Sequence, residues 1–364
     1  MAQYLVSIVG RQTLPNILPI KEYAGLINQH IFISTSKVSE ELSWIKTVCA
    51  IGKDDFFNLE IDEDDIGQIV ANLTALSAIF TQEDEFYINL TGGTKIMALG
   101  TFQFFSQSPF KVKMFYLNMG SNVLRQVYPP IDASLRDEPL LYRINVADFL
   151  GSYGATITNS SSIFKMTKSK EYTALFFEYE WSKEPIIRKI REERYNIIFD
   201  RIDAVYRREL RAFLSKIDFS LTFEDRITKE EIQYLTGGWW EEYCFYFIKE
   251  KIGIQEPFIA KGLVNNKTNN ELDVAFVKDN VLHVLECKTT IFNKEDFEDY
   301  VYKLAAIKDN KNGFGISVKA YLFTNLIKRD QQANTIDETF QRRASAFNIT
   351  LVDSLVFQRD DFKI

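Results

Sequence analysis

Between Glu271 and Lys288 two β-rich runs flank the dipeptide Asp279-Asn280, a pattern that leaves this stretch little choice but an antiparallel hairpin. If the dipeptide is a two-residue loop, Lys278 pairs with Val281 and the register is set. Asp273 then stands directly opposite Glu286, with Cβ atoms ~5 Å apart, and Lys288 shares the face of Glu286 two residues on. Opposed carboxylates repel and weaken a strand pair. A hard divalent cation such as Mg²⁺ or Mn²⁺ matches their oxygen donors and would compensate. A metal held there would polarise a phosphate and supply a hydroxide, while Lys288 would orient water or stabilise developing charge. The plainer alternative is an edge hairpin with solvated charges. His283 and Cys287 fall on the opposite face and read as core.

Composition narrows the chemistry further. The chain has 364 residues, 43 Lys+Arg against 50 Asp+Glu, and a net charge of −7. That length suits two or three domains. An acidic protein is not a general nucleic-acid coater, so any such binding must be local. Only His30 and His283 are present, which disfavours zinc hydrolases, histidine-pair ribonucleases and Ser-His-Asp triads. Cys49, Cys244 and Cys287 form no CxxC pair and point to a reducing compartment. The opening MAQYLVSIVG reads as a first strand and not as a leader, and no apolar run approaches the ~20 residues needed to span a bilayer. A cytoplasmic protein with no membrane association is expected.

The N-terminal half alternates strands, at 4–9, 30–34, 86–90 and 112–117, with helical faces such as Ile66, Ile69, Leu73, Leu76 and Phe80. Such alternation predicts a parallel, doubly wound sheet with ligands at the carboxyl ends of its strands. Two loops fall there: Gly10 to Asn16 after the first strand, and Thr91-Gly92-Gly93-Thr94-Lys95 after the strand FYINL. Glycines let backbone N–H groups approach an anion, the helix N-terminus adds its positive end, and the threonines and Lys95 add donors. It is neither a Walker A loop nor GxGxxG. A glycine turn with Thr94 as an N-cap is the alternative.

In the C-terminal half, Gly237-Gly238-Trp239-Trp240-Glu241-Glu242 reads as a helix opening, with a stop at Gly253. Glu241, with Glu242 as fallback, is the candidate third acid; both also suit an ordinary acidic first turn. A strand near 256–264, the hairpin, a helix capped by Asn293 and a strand at 318–324 complete an α-β-β-β-α-β order. Lys303 lies mid-helix, either solvated or reaching the cleft. Residues 146–225 connect the halves: 151–162 are rich in Gly, Ser and Thr, and 185–217 carry an amphipathic helical pattern. Its arginines, from Arg188, Arg191 and Arg194 to Arg211, form either a solvated face or a basic wall for nucleic acid.

Taken together, the RQTLPN loop, the TGGTK loop, the GGWWEEY helix, the ELD…ECKTT hairpin and the YKLAAI helix resemble a family of CRISPR-associated Rossmann-fold (CARF) proteins. These are ancillary nucleases of type III CRISPR defence activated by cyclic tetra-adenylate. The resemblance implies an α/β chain: a Rossmann-like CARF sensor with a parallel sheet at 1–145, a partly helical connector at 146–225, and a restriction-endonuclease-like PD-(D/E)xK domain at 226–364. It implies a homodimer that binds cyclic tetra-adenylate through Gln12, Thr13, Asn16, Thr91, Gly92, Gly93, Thr94 and Lys95. Glu241, Asp273 and Glu286 would hold Mg²⁺ or Mn²⁺ and, with Lys288, form the active site. The substrate would be DNA, RNA or both, single-stranded or nicked as supercoiled DNA. Trp240 departs from the pattern, which has an aliphatic residue before the glutamate. His283 has no arginine four to seven residues before it, so the histidine-dependent ribonuclease of the sister architecture cannot be built here. A regulatory sensor with an inactive nuclease-like half, and a constitutive repair or restriction endonuclease, remain the alternative functions.

Overall fold

The computed structural model describes all residues except 133–135, 156–167, 169, 181–182, 194, 266–269, 310–312, 316–317, 331–334 and 358–363. The chain divides into two compact units, Met1–Thr156 with Val277–Leu282, and Ile157–Phe276 with His283–Ile364. Residues of the connector beyond 156 therefore group with the second unit. Of the Gly/Ser/Thr-rich stretch, 156–162 lie outside the described residues, as does Arg194. No described helix is long and apolar enough to cross a membrane.

The first unit is built on a seven-stranded sheet: β1 (Gln3–Ile8), β2 (Gln29–Ser34), β3 (Phe56–Glu60), β4 (Glu85–Asn89), β5 (Lys111–Asn118), β6 (Val123–Tyr128) and β7 (Asp137–Pro139). Their order is β3-β2-β1-β4-β5-β6-β7. The strands from β3 to β5 run parallel, and β6 and β7 return antiparallel. The sheet expected from sequence is thus present, with an antiparallel edge added. Around it lie α1 (Leu14–Glu22), α2 (Ser39–Cys49), α3 (Ile66–Ser77), α4 (Lys95–Gln107) and α5 (Val146–Gly151). Tyr4, Val6 and Ile8 pack into one apolar cluster with Ile69, Leu73, Met97 and Phe105 of α3 and α4. The alternate residue Leu5 is buried as well, because a parallel sheet hides both faces. An acidic run, Asp62 to Asp65, precedes α3, and Asp65 caps the helix by accepting from the Gln68 N–H at 3.0 Å.

Chain order reverses between β1 and β4, so the loops that leave their carboxyl ends flank a topological switch point. The two loops are pressed together. A Cβ on Gly92 would lie 2.0 Å from the Ile8 carbonyl oxygen, and Gly93 has φ +67° with no room beside Ile8. Only glycine fits either position.

The second unit begins with α6 (Lys170–Glu178), α7 (Pro185–Glu192), β8 (Ile197–Ile198), α8 (Ala204–Lys216), β9 (Arg226–Ile227), α9 (Lys229–Gln233) and α10 (Trp239–Phe247). The amphipathic pattern over 185–217 is therefore two helices with a short strand between them. The sequence expectation of a helix opening at Gly237-Gly238 does not hold. Those glycines lie in a π-helical turn, Tyr234–Gly238, that joins α9 to α10. The capped start is upstream at Thr228, whose side chain accepts from the Glu231 N–H, and the run ends at Gly253 with φ +75°. A π turn widens the helix locally and re-aims the side chains that follow it.

The sheet of this unit runs β10-β11-β12-β13-β14, from β10 (Ile259–Asn265), β11 (Asn270–Lys278), β12 (Val281–Ile291), β13 (Val318–Ile327) and β14 (Ile349–Asp353). The helices α11 (Lys294–Ile307), α12 (Glu338–Ala346) and α13 (Ser354–Phe357) complete it. From α10 to β13 the order is the foreseen α-β-β-β-α-β. The hairpin turn is also as read: Asp279 and Asn280 have φ of 52° and 61°, the left-handed pair that a two-residue loop of type I′ needs. Trp239, Trp240 and Cys244 of α10 pack with Val274, Phe276, Leu285 and Cys287 of the hairpin. Trp240 earns its unexpected bulk by donating its indole N–H to the Phe323 carbonyl at 3.1 Å. His283 is core: it is buried against Phe276 and shares a 3.1 Å hydrogen bond with the Tyr321 hydroxyl.

Replacing Gly92 by alanine should destabilise the protein by about 1–3 kcal/mol, the usual cost of overpacking. Gly25→Ala, with nothing within 4 Å of the added methyl, should stay within about 0.5 kcal/mol of the parent. Thermal and urea unfolding of the full chain measures both. A Gly92→Ala protein as stable as the parent would contradict the loop packing.

Candidate functional site

The hairpin carries its acids into one buried cluster. Asp273 is 5% exposed and Glu286 3%. The Lys288 ammonium lies 3.2 Å from Asp273 Oδ2 and 2.6 Å from Glu286 Oε1. Lys303, from the middle of α11, donates to Glu286 Oε2 at 2.5 Å, so it reaches the cleft. The Cys287 backbone N–H donates to Asp273 Oδ2 at 2.7 Å. Tyr300 offers its ring face to Lys288, 5.2 Å from ammonium to centroid, which favours the cation.

Burial and mutual repulsion dominate the electrostatics. Burial, then the neighbouring Asp273 charge, pushes the Glu286 carboxyl up, against the pull of Lys288 and Lys303. Burial opposes the Lys288 charge, but Asp273 and Glu286 outweigh it and raise the ammonium well above the ordinary lysine value. Lys288 is therefore a fixed cation and not a proton acceptor at neutral pH.

Glu241 joins from α10. Its carboxylate pairs with Lys261 of β10 at 3.2 Å. Burial, then the Asp273 charge, raises its pKa to about 7, with Lys261 and Lys288 opposing. Glu242 is fully buried elsewhere: it accepts from the Lys168 backbone N–H at 3.2 Å, and its charge adds to the burial that raises the Tyr234 hydroxyl. Of the two glutamates, Glu241 is the one in electrostatic reach of Asp273. Among the described residues, however, no group of three or more His, Cys, Asp or Glu is disposed to hold a metal ion. The lysines neutralise the acids in this arrangement.

Sequence reasoning did not find Lys261, and it placed Arg191 only among the arginines of a solvated face or basic wall. Lys261 is an isolated lysine on a strand, with no local signal. Arg191 of α7 donates to the Thr289 hydroxyl at 3.1 Å, the Thr290 hydroxyl at 3.3 Å and the Thr236 carbonyl at 3.2 Å. It thereby ties α7 to the strand end beyond Lys288.

In the first unit the nominated loop residues divide into two groups. Thr13 and Asn16 are fully buried. The Thr13 hydroxyl donates to the Ser152 carbonyl, and Asn16 donates to the Ile8 carbonyl at 3.0 Å. Asn89, at the end of β4, donates to Asn16 Oδ1 at 3.1 Å and to the Pro15 carbonyl at 2.8 Å, and accepts from the Thr91 N–H at 3.0 Å. That pair of asparagines locks the two loops together. The Thr91 hydroxyl accepts from the Leu117 N–H at 2.8 Å. Thr94 is the N-cap of α4, accepting from the Met97 N–H at 3.2 Å and donating to the Glu63 carbonyl at 3.1 Å. Gln12, Gly93 and Lys95 are exposed, and Gly92 is half-buried. The first group shapes the loops; the second is open to a ligand.

Comparison with known proteins adds the following. Residues 4–149 match the Card1 CARF domain family, and residues 228–352 match the Card1-like endonuclease domain family. The structure of Can2 from Sulfobacillus thermosulfidooxidans in complex with cyclic tetra-adenylate is similar over 96% of this chain and 95% of that one, with TM-score 0.71 and 21% identity. Protein VC1899 from Vibrio cholerae is similar over 98% and 95%, with TM-score 0.73 and 18% identity. A type III CRISPR defence DNA nuclease activated by cyclic oligoadenylate matches over 95% of this chain but 52% of its own, with TM-score 0.56 and 13% identity. At these identities the likeness is one of fold. No curated protein matches by sequence.

The raised Glu241 pKa carries a sign. Its proton binds the folded state more tightly than the unfolded one, so its charge destabilises the fold above pH 7 and is relieved as pH falls from about 7 toward the ordinary carboxylate range. Glu241→Gln should therefore raise the thermal midpoint at pH 8 in metal-free buffer, and the gain should shrink toward pH 5. Calorimetry across that range checks it; a gain independent of pH would remove Glu241 from the cluster.

Proposed function

The chain joins a Card1 CARF domain to a Card1-like endonuclease domain, and from that premise we propose that it is a cyclic-tetra-adenylate-activated, divalent-metal-dependent endonuclease of type III CRISPR antiviral defence. The observation that carries this reading is the buried Asp273/Glu286 pair, held on opposed strands with Lys288 and Lys303 against it. Buried like charges need countercharge, and here two lysines supply it.

A divalent metal fits the chemistry of this donor set: hard carboxylate oxygens, two of them buried, with a third acid held by a lysine. Asp273 and Glu286 would bind Mg²⁺ or Mn²⁺, and Glu241 would complete the set on release from Lys261. The ion would supply Lewis acidity toward a phosphodiester and a nucleophile at neutral pH. Lys288, fixed as a cation, would orient the attacking water and stabilise charge developing on the phosphate. Lys303 would hold Glu286 and offset its repulsion from Asp273. The substrate is DNA, RNA or both.

The sensor half is read in the same way. The exposed Gln12 and Lys95, the Gly92 and Gly93 backbone and the N-terminus of α4 would meet the phosphates of cyclic tetra-adenylate. Thr13, Asn16, Thr91 and Thr94 would keep the loops in shape. Two copies would bind the ring as a homodimer in the cytoplasm, with the sensor at 1–145, the connector at 146–225 and the nuclease at 226–364.

A second reading draws on the neutralised acids: a sensor whose nuclease-like half binds nucleic acid without cutting it. Titration calorimetry with Mn²⁺ separates the two, since only the first reading requires a metal site.

With labelled single strands and Mn²⁺, cleavage should depend on cyclic tetra-adenylate and fall at least about 100-fold in Glu286→Ala or Lys288→Ala. Lys95→Ala should raise the activator concentration needed by about tenfold, the worth of one charge-assisted hydrogen bond. Cleavage indifferent to activator would sink the sensor assignment, and cleavage unchanged in Glu286→Ala would sink the site.

A further inference from the structure

The helix α11 presents two side chains to the active-site cluster, Lys303 and Tyr300. It is seated by the buried Phe297, Val301 and Leu304, and Phe297 stacks on Phe340 of α12 with ring centroids 4.2 Å apart. Tyr300 and Lys303 stand three residues apart on the adjoining face, the spacing at which helical neighbours point the same way. Lys303 meets Glu286. Tyr300, half-buried, turns its ring to the Lys288 ammonium, 5.2 Å from the ring centre. A cation at that distance over an aromatic face is attracted by the ring quadrupole, and more strongly where water is scarce.

Among the described residues the Lys288 ammonium has three contacts: Asp273 Oδ2 at 3.2 Å, Glu286 Oε1 at 2.6 Å and the Tyr300 ring. The first two are carboxylates assigned above to a divalent metal. Carboxylates that serve a metal hold an ammonium less tightly, and the added positive charge repels it. A lysine ammonium rides on a flexible four-carbon stem, so once loosened it can swing away from the cleft. The ring is different, because it carries no charge for a metal to take. Burial raises the phenol above the ordinary tyrosine value, with Lys288 pulling the other way, and Tyr300 is neutral at pH 7. Its hold on Lys288 therefore persists when the acids change partner. Lys303 cannot do the same, since it is itself a cation.

We propose that the ring face of Tyr300 is a positioning element for the reaction, keeping the Lys288 ammonium in the cleft while Asp273 and Glu286 serve the metal. This role rests on the endonuclease reading above and adds a residue to its site. Tyr300 acts through Lys288 and touches no reacting atom itself.

The test compares the parent, Tyr300→Leu and Tyr300→Phe as full chains. Leucine keeps apolar bulk and removes the π face, whereas phenylalanine keeps the face. In metal-free protein with carbon-13 at lysine Cε, the Lys288 resonance is identified by its loss in Lys288→Arg. It should lie upfield through the ring current, stay there in Tyr300→Phe and move downfield in Tyr300→Leu. In the cleavage assay with Mn²⁺ and cyclic tetra-adenylate, kcat should fall about tenfold in Tyr300→Leu with KM unchanged, and Tyr300→Phe should stay within about twofold of the parent. In a Lys288→Ala background, Tyr300→Leu should cost nothing further. A loss of the same size in that background would mean that Tyr300 acts through packing, and overturns the proposal. So does a parent-like kcat in Tyr300→Leu, an equal loss in Tyr300→Leu and Tyr300→Phe, or a Lys288 resonance indifferent to both. The nuclease reading is judged by the parent alone. A parent that never cuts sinks that reading and the positioning role with it; a parent that cuts beside an equally fast Tyr300→Leu sinks the role of Tyr300 and leaves the nuclease standing.

Discussion

Two carboxylates with almost no access to water, Asp273 and Glu286, lie on the two strands of a hairpin and share the Lys288 ammonium. Placing them there is costly: each loses hydration, and each raises the other's free energy. The surrounding side chains offset that cost. Lys288 touches both acids, Lys303 takes the free oxygen of Glu286, Lys261 restrains Glu241, and the Cys287 amide fills a lone pair of Asp273. Replacing this set by apolar side chains would be the cheaper way to stabilise a hairpin. Its retention is understandable if the acids serve something other than stability, and the raised carboxyl pKa values of Glu241 and Glu286 mark the same tension.

The sensor half solves a different problem, that of bringing two loops within van der Waals contact at a switch point. Gly92 lets its loop rest on the Ile8 carbonyl, and the Asn16–Asn89 pair binds the two loops from below. Threonine hydroxyls are spent on backbone partners, which ties the loops to neighbouring strands and helices. That bonding divides the residues nominated for one pocket into two groups, some as frame and some as surface.

The hairpin was legible from sequence because its information is local. A turn dipeptide fixes register, and strict alternation then places Asp273, Glu286 and Lys288 together. The parallel strands were legible for a similar reason, since their apolar runs are continuous. What escaped was tertiary or marginal. β3 lies at an edge and is only partly buried, so its run Phe56–Glu60 carries no clear pattern. β6 and β7 form a partly exposed antiparallel edge. The Gly237-Gly238 pair reads as a helix start by propensity, yet the backbone continues through it as a π turn. Lys261 sits on an element remote in sequence from Glu241, and Arg191 from the threonines it bonds, and no spacing rule connects them. Lys303 was visible as a lysine in mid-helix, but only packing of α11 could direct it to Glu286.

The net charge of −7 gains meaning from this arrangement. At physiological ionic strength fields fade over about 8 Å, so acids elsewhere on the chain do little to the balance around Asp273 and Glu286. That balance is set by Lys288 and Lys303, whose ammonium groups stand within 3.2 Å of the two carboxylates. An acidic chain can therefore hold two buried acids in its hairpin, because the cations that offset them are local and do not depend on the net charge.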